Sequence, residues 1–467
     1  MIMIEGSKIS ELIEIQELKG TEYIVVQDFD DNKKIKLDKL ATKKDIEEIK
    51  NNIDLYAYGV EWDTTVADPH CTRIGNPLLH KSLPIQSSYR GCIVKDGKIQ
   101  YYLNPNDWSK KEDGTPSKLD GTDGDVYVHI LKHYGKSWSI GTKRRVMESF
   151  VKIDNSWFEI PEMLVAAYRI TVSDNKTRSV VNTDIMFRGG GNRPEYDKYL
   201  DTDPARTDLN KPRTLISRGT MRTYAKNANS ELLCYDYYKW IFYWNFVIEY
   251  ATFNSQDAFN SELTSEGYHQ GGLGPGVTTW NSNDWQKYNN YRPVTPNGYC
   301  NNLGNFTGTK TLTLNADSGI KTFEVPRWRG FDNPFGDIYT NLDGIVLKRE
   351  AANEDSKVYV TNNPNNFDDS LNNKIVAGIE IAQDGYIKEF DLGDTGNIIP
   401  SEVSNGASST THKCDYHYCN KEYTRERTLL AGGDVTNGSR AGVDYFCSGF
   451  SVGSANGDVG FRTIIRL

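Results

Sequence analysis

The chain has 467 residues, of which 37% are hydrophobic and 12% aromatic, and its formal net charge is −9. A chain of this length can hold two or three domains and a large core. The negative charge argues against a nucleic-acid partner or an anionic membrane, because a phosphate-binding face needs clustered Lys and Arg.

The sequence carries no pattern typical of a secreted or membrane-spanning chain. Residues 1–18 mix Glu and Lys with apolar side chains and lack the continuous apolar core of a signal peptide. The longest apolar stretch, Trp240–Ile248, contains Asn245 and is too short to span a membrane. Seven cysteines, an odd number over a long chain, argue against a disulfide framework. We therefore expect folding in a reducing cytoplasm and no membrane insertion.

Residues 1–41 are predicted to form a small hairpin module. The run Tyr23–Val26 is typical of a β-strand, Asp28–Asn32 is rich in turn residues, and Lys33–Leu37 alternates polar with apolar side chains. This pattern resembles the N-terminal anchoring module of many bacteriophage fibre proteins. The resemblance implies attachment to other virion proteins, of the capsid or the tail, through residues 1–41. A generic small hairpin is the alternative.

Residues 42–57 are predicted to form an oligomerising helix. Thr42 can cap its start, with Asp45 three residues later. Apolar residues then follow at spacings of three and four: Ile46, Ile49, Ile53 and Tyr56. Isoleucine at both core positions favours three or four helices over two, so we expect a short homotrimeric coiled-coil neck. A monomeric amphipathic helix that packs on the main body is the alternative.

The composition changes after Leu55. Residues 58–214 are rich in Gly, Asn, Asp, Pro and aromatic residues, which predicts a β-rich domain or insertion. Four short runs within this segment are strand-like: Cys92–Val94, Ile99–Leu103, Val126–Ile130 and Val151–Ile153. Met221–Asn254 is predicted to be one long helical segment. Its run Tyr235–Trp244 is apolar almost all round, so we expect it to be buried.

The segment from Asp434 to Asp458 has an unusual composition. It contains no Glu, Lys, Gln, Met or Trp, five types that make up about one residue in five of an average chain. These are the residues that a codon ending in a pyrimidine cannot encode. In proteins diversified by a retroelement that mutates adenines, Asn and Tyr codons scatter over the remaining types. The composition favours a diversified ligand-binding loop, with an ordinary Gly/Ser-rich surface loop as the alternative.

Several short motifs occur in order towards the end of the chain: Val247–Ala251, Asn305–Gly308, Phe335–Gly344, Arg427–Gly433, Ala441–Gly442 and Gly460–Arg462. Together they resemble the C-type-lectin fold in its formylglycine-generating-enzyme-like branch, over residues 210–467. The resemblance implies a C-type-lectin-like domain at 215–467 with a variable loop at 434–458. The cysteine pair of those enzymes is absent here, because Cys447 stands alone in the loop. We therefore expect no enzymatic activity and no cofactor.

The whole of residues 58–467 carries a closer resemblance. It rests on four stretches: Leu83–Ser87, Tyr101–Trp108, Leu119–Gly124 and His269–Gly274. These resemble variable proteins of phages and prophages that infect gut Bacteroidales, including crAss-like phages. The resemblance implies a protein of the virion.

Two clusters contain metal-ligand types. His412, Cys414, His417 and Cys419 could supply zinc ligands, but on a strand the first two would face away from the last two. Buried thiols beside a polar strand are the preferred interpretation. A second cluster surrounds tight glycine turns: Asp120, Asp123 and Asp125. Its carboxylates could bind calcium or simply form a hairpin turn, and we predict no metal site.

These features predict an α+β, β-rich protein with a hairpin anchor, a short neck, a β-rich middle and a C-type-lectin-like C-terminal domain. We expect a head or tail fibre of a phage virion that binds a host surface glycan or protein. A purely structural head-decoration or fibre protein is the alternative. A polysaccharide depolymerase would need paired acids in an aromatic cleft, and no pair stands out. The predicted receptor contacts are Asp434, Asn437, Ser439, Arg440, Asp444, Tyr445, Ser448, Ser451 and Asn456.

Overall fold

The structure is a computed structural model. It describes residues 26–27, 34–35, 53–181, 212–256, 263–269, 283–284, 295–316, 318–404, 408 and 410–467.

The expected N-terminal hairpin is present at its centre. Strand β1 (Val26–Gln27) pairs antiparallel with β2 (Lys34–Ile35). The remainder of the 1–41 module lies outside the described residues, as does most of the expected helix at 42–57. The last turn of that helix is described as α1 (Ile53–Tyr56). The coiled-coil neck therefore stays a prediction.

The main body is β-rich, as predicted. Its strands in chain order are β3 (Tyr58–Asp63), β4 (Thr72–Gly75), β5 (Arg90–Lys95), β6 (Lys98–Asn104), β7 (Asp107–Lys111), β8 (Asp125–Ile130), β9 (His133–Ile140), β10 (Lys143–Ser149), β11 (Phe158–Ile160), β12 (Met163–Ala166), β13 (Thr171–Ser173), β14 (Lys176–Arg178), β15 (Glu231–Leu232), β16 (Gly308–Ala316), β17 (Gly319–Trp328), β18 (Phe331–Asp332), β19 (Tyr339–Asn341), β20 (Ile345–Lys348), β21 (Ser356–Val360), β22 (Ile375–Glu380), β23 (Gly385–Asp391), β24 (Ile399–Ser404), β25 (Tyr416–Tyr418), β26 (Leu430–Ala431), β27 (Phe446–Cys447), β28 (Val459–Gly460) and β29 (Thr463–Arg466). The helical elements are α2 (Pro77–Ser82), α3 (Pro84–Ser87), α4 (Arg218–Asn227), α5 (Tyr235–Tyr238), a π-helical segment (Lys239–Trp244), α6 (Asn245–Tyr250) and the 3-10 turns Asn301–Leu303, Pro364–Asn366 and Gly438–Arg440.

Three larger sheets organise these strands. Sheet I has the order β15-β29-β12-β8-β5-β6-β7, sheet II the order β24-β23-β25-β27-β26-β19-β28, and sheet III the order β11-β9-β10-β3-β4. Strand β29 lies inside sheet I, where it pairs with both β12 and β15. Strands from both sides of the expected boundary at residue 214 therefore belong to one sheet.

Three of the four strand-like runs expected in 58–214 fall within strands β5, β6 and β8. The expectation for Val151–Ile153 is wrong, because β10 ends at Ser149. The Ser149 hydroxyl donates to the Tyr56 carbonyl at 2.8 Å and accepts from the Val151 amide at 3.0 Å. These bonds replace the next ladder hydrogen bonds and turn the chain out of the sheet.

The single helix expected over Met221–Asn254 is also wrong in its extent. Helix α4 ends at Asn227, and Asn229 adopts a left-handed φ of 53°, a conformation that asparagine tolerates. The chain then forms β15 against β29 before the helical run restarts at Tyr235. The sequence contains a helix-ending signal at Asn229, but the residues that pair with β15 lie 231 and 233 residues further along the chain. This separation is roughly the length of a whole domain.

The apolar run Tyr235–Trp244 is buried, as expected. Trp240 and Trp244 donate their indole N–H groups to the carbonyls of Thr395 and Gly396 at 3.1 and 2.7 Å. Each indole thus combines a buried ring with a satisfied polar tip. The same core contains residues from all three sheets, among them Val60, Val128 and Phe446. The helical run is therefore the centre on which the sheets pack.

Candidate functional site

Loop 434–458 leaves sheet II after β26 and returns to it at β28, with β27 in its middle. Gly432 and Gly433 open the loop in left-handed conformations, with φ of 92° and 71°, which glycine adopts without strain. A Cβ on Gly433 would lie 2.8 Å from the Cβ of Ala441. The glycine pair therefore permits both the turn and the close approach of the two arms of the loop.

Asp434, Asn437 and Tyr445 form a buried cluster at the start of the loop. The Asp434 amide donates to Asn437 Oδ1 at 2.7 Å, and Asp434 Oδ1 accepts from the Thr436 hydroxyl at 2.6 Å. Asn437 Nδ2 donates to Tyr445 Oη at 3.3 Å, and its Oδ1 also accepts from the Tyr339 hydroxyl at 2.9 Å. These side chains fix the loop backbone.

Ser448 belongs to a buried ion network. Glu380 lies 3.0 Å from Arg427 and 3.1 Å from His417 Nε2, and it accepts the Ser448 hydroxyl. Burial alone would raise the pKa of Glu380, but the hydrogen bond to His417 and the charge of Arg427 lower it to about 2. The carboxylate is therefore charged and paired, and Ser448 serves it as a hydrogen-bond donor.

Asp444 and Asp415 form a buried acidic pair beneath the loop. The Asp444 amide donates to Asp415 Oδ2 at 2.7 Å. A Cβ on Gly442 would lie 1.8 Å from Asp415 Oδ1, so this carboxyl packs on the loop backbone. Both carboxyl oxygens of Asp444 are buried and lack a hydrogen-bond partner among the described residues. Burial and the charge of Asp415 raise the pKa of Asp444, against the effect of Lys413.

The structure thus divides the nine predicted contact residues. Five are buried and unavailable to a partner in this conformation: Asp434, Asn437, Asp444, Tyr445 and Ser448. Ser439 is exposed, whereas three are half-buried: Arg440, Ser451 and Asn456. Composition identified the loop but could not tell which of its polar side chains turn inward, because that depends on partners elsewhere in the chain.

Arg440 contacts an aromatic surface, and the exposed Ser439 precedes it in the chain. The Arg440 guanidinium lies 5.1 Å from the centroid of the Tyr416 ring, and Tyr386 packs edge-on against the same ring at 5.3 Å. We call these four residues the Tyr416 surface. Sequence reasoning missed its two tyrosines. The alternation Tyr416-His417-Tyr418 was a signal for Tyr416, because a strand projects its first and third side chains to one face.

Ser451 and Asn456 lie on a separate turn of the loop. The Ser451 hydroxyl is 3.1 Å from that of Ser454, and the Asn456 carbonyl accepts from the Leu215 amide at 3.0 Å. These contacts place Ser451 and Asn456 apart from the Tyr416 surface.

The two possible metal clusters have other partners. His417 contacts Glu380 and the Gln383 carbonyl, whereas Cys419 Sγ lies 3.7 Å from the Ile381 carbonyl. In the aspartate cluster, Asp120 accepts from the Thr122 amide, Asp123 from the Tyr101 hydroxyl and Asp125 from Arg178. Within the described ranges, no group of three or more His, Cys, Asp or Glu side chains is arranged to hold a metal ion.

Comparison with family models and with curated proteins found no match to this chain. None of the helices in the described part of the chain has the length and apolar character needed to cross a membrane.

Proposed function

We propose that this chain is a bacteriophage virion fibre protein, on the head or the tail, that binds a receptor on the host cell surface through its C-terminal segment. The observation that carries the proposal is the construction of loop 434–458. Buried side chains fix its backbone, while the exposed Ser439 and the half-buried Arg440 belong to the Tyr416 surface. A loop built this way can change its exposed residues without unfolding the protein.

The chemistry of the Tyr416 surface supports binding. Tyrosine offers a large, stiff contact area with a polar tip, and serine and arginine offer adaptable hydrogen bonds. The sequence resemblance of residues 210–467 to the C-type-lectin fold supports the same proposal, because diversified loops of that fold bind ligands. The proposed contact set is accordingly Ser439 and Arg440 from the predicted residues, together with Tyr386 and Tyr416.

The N-terminal residues 1–57 have two further roles in this proposal. Residues 1–41 would attach the fibre to other virion proteins, and the helix at 42–57 would assemble a homotrimer. Three copies of a weak site raise the overall affinity for a dense cell-surface receptor. Light scattering of the purified full chain measures its molar mass in solution. We expect the mass of a trimer, and the mass of a monomer would contradict this part of the proposal.

Attachment to cells of gut Bacteroidales strains tests the binding function. We expect the fluorescently labelled full chain to bind a subset of strains in flow cytometry. The double substitution Ser439→Ala/Arg440→Ala should reduce that binding about tenfold or more, a loss of about 1.4 kcal/mol. The matched control is Ser109→Ala/Lys110→Ala, which removes an adjacent exposed serine and cation on β7 and should leave binding unchanged.

Two results would count against receptor binding. Equal attachment by the loop variant and the control would move the contact away from Ser439 and Arg440. Attachment to no strain, combined with binding to purified virions that lack the protein, would favour the structural decoration role instead.

A further inference from the structure

A pocket of about 370 Å³ opens on the surface beside β25. Two segments line it: residues 382–384, which join β22 to β23, and residues 418–422, at the end of β25 and after it. Both segments lie outside loop 434–458. The volume falls in the range of small-molecule sites.

Contacts between the two segments hold the pocket in shape. The Cys419 amide donates to Asp384 Oδ1 at 2.8 Å, and His417 Nδ1 lies 2.9 Å from the Gln383 carbonyl oxygen. His417 also contacts the buried Glu380, so a residue of the ion network holds the Gln383 backbone that lines the pocket. A preformed site of this kind loses less conformational entropy on binding.

Tyr418 presents an aromatic ring at this pocket. The residue is 39% exposed although the neighbouring His417 is fully buried. A Cβ on Gly449 would lie 2.4 Å from Tyr418 Cε1, so the ring packs directly on the backbone of loop 434–458. The variable loop thus fixes one side of the ring, and the exposed part is open to a ligand.

The polar lining offers both hydrogen-bond donors and acceptors. Asp384 and Glu422 supply carboxylates, Asn420 an amide and Lys421 an ammonium group, so the formal charge of the lining is negative. A phosphate or an acidic sugar would meet two carboxylates and one cation, which disfavours it. Hydroxyl groups match this set, because each can donate to a carboxylate and accept from an amide or ammonium. An aromatic face beside them suits the C–H face of a sugar ring.

We propose that this pocket, the Tyr418 pocket, binds a neutral pyranose ring that stacks on Tyr418 and hydrogen-bonds to Asp384, Asn420 and Glu422. The inference rests on the proposed function, because it assigns a glycan to the receptor. It places glycan recognition beside the variable loop and outside it. Since Tyr418 packs on Gly449, the loop then adjoins whatever extends from the bound sugar.

Ligand-observed NMR titration of the full chain tests this assignment. The probes are the methyl glycosides of glucose, galactose, mannose, fucose and N-acetylglucosamine. We expect saturable binding of at least one glycoside, weakened about tenfold or more by Tyr418→Ala and retained by Tyr418→Trp. The control Tyr359→Ala changes a half-buried tyrosine of β21 outside the pocket lining and should bind as the wild type does. Glu422→Gln, an exposed substitution, should weaken binding several-fold while keeping the fold.

The outcomes separate this inference from the fibre function. No binding of any of the glycosides, or equal binding by Tyr418→Ala and the wild type, would overturn the pocket assignment. Preferential binding of N-acetylneuraminic acid or inorganic phosphate would overturn the neutral-sugar assignment. If the protein still attaches to cells in these cases, the fibre proposal stands and its receptor contact lies elsewhere. If it binds neither glycosides nor cells, both proposals fail.

Discussion

Two carboxyl groups buried near loop 434–458 are in opposite electrostatic situations. Glu380 contacts Arg427 and His417, which hold its pKa at about 2 despite burial. Asp415 accepts from the Asp444 amide and the Ser255 hydroxyl, and burial raises its pKa to about 8. A buried carboxylate that is paired with cations stays charged, whereas one that accepts only from neutral donors retains its proton.

The free energy of unfolding should therefore fall as the pH rises towards 8. The folded protein keeps a proton on Asp415 from its unfolded pKa of about 3.9 up to about 8. In that window the folded state binds more protons than the unfolded state, so stability decreases with pH. Asp415→Asn removes this titration, and we expect a shallower decrease and higher stability than the wild type at pH 8. Urea unfolding at a series of pH values between 5 and 8 measures both.

Asp394→Asn is the control for this experiment, because Asp394 is exposed and its substitution should leave the slope unchanged. A slope in Asp415→Asn equal to that of the wild type would refute the protonated state.

Glu380 affects stability at low pH instead. Its ion pairs contribute to the free energy of unfolding at pH values above the unfolded pKa of about 4.3. This contribution is lost as the pH falls towards 2, where the folded protein also takes up the proton.

The sequence shows which polar residues loop 434–458 contains, but it could not predict which of their side chains turn inward. Asp434 and Asp444 are small polar residues in a Gly-rich loop, and such residues are mostly exposed. Their burial depends on Asn437 and on Asp415, and the second of these lies in another segment of the chain. Only strand alternation at Tyr416–Tyr418 could have located part of the exposed surface.

Gly433, in the glycine pair at the start of loop 434–458, can be compared with Gly97 in the turn between β5 and β6. Gly433 and Gly97 have nearly equal φ values of 71° and 73°, but they differ in their surroundings. A Cβ on Gly433 would approach Ala441 to 2.8 Å, whereas a Cβ on Gly97 has no neighbour within 4 Å in the described structure. The two positions therefore separate backbone strain from steric clash.

Gly433→Ala should destabilise the protein more than Gly97→Ala. The left-handed backbone costs each alanine about 1–2 kcal/mol, and the clash with Ala441 adds about 1–3 kcal/mol at Gly433 only. Urea unfolding of the two variants at one pH gives the difference. Equal losses of stability would mean that the two arms of the loop are not held together by this contact.

Elements were predictable where local pattern decides them. Strands β5, β6 and β8 are rich in β-branched and aromatic residues, the composition that fits a pleated, half-buried surface. The helix predicted over Met221–Asn254 is longer than α4, which ends at Asn227. The prediction missed β15, because this strand is only two residues long and depends on its pairing with β29. A short strand that depends on a distant partner has no local signal.

The whole molecule is held together by such distant pairings. Strand β29 is the last of the described strands in chain order, yet it lies between β12 and β15 in sheet I. Just before it, the buried Arg462 donates to the carbonyls of Ala166 and Ala167 at 3.0 and 2.7 Å. The sequence predicted a β-rich domain or insertion at 58–214 and a C-type-lectin-like domain at 215–467. It could not show that they share a sheet, because nothing local to residues 163–166 specifies a partner at 463–466.

Deletion of residues 463–467 should therefore prevent cooperative folding of the main body. It removes the fully buried Ile464, worth about 1.5–3 kcal/mol by burial, and leaves the backbone of β12 without the partner that Met163–Val165 has in the intact sheet. These losses are large against a total stability of about 5–15 kcal/mol. We expect loss of the near-ultraviolet circular dichroism signal and of a sharp melting transition.

Deletion of Leu467 alone is the control, because this residue is 56% exposed and follows the strand. The melting temperature should then change by only a few degrees, as expected for about 1 kcal/mol or less. If the chain without residues 463–467 melts cooperatively near the wild-type temperature, residues 58–214 fold without β29. The division at residue 214 would then mark two domains that only pack together, and sheet I would be an interface between them.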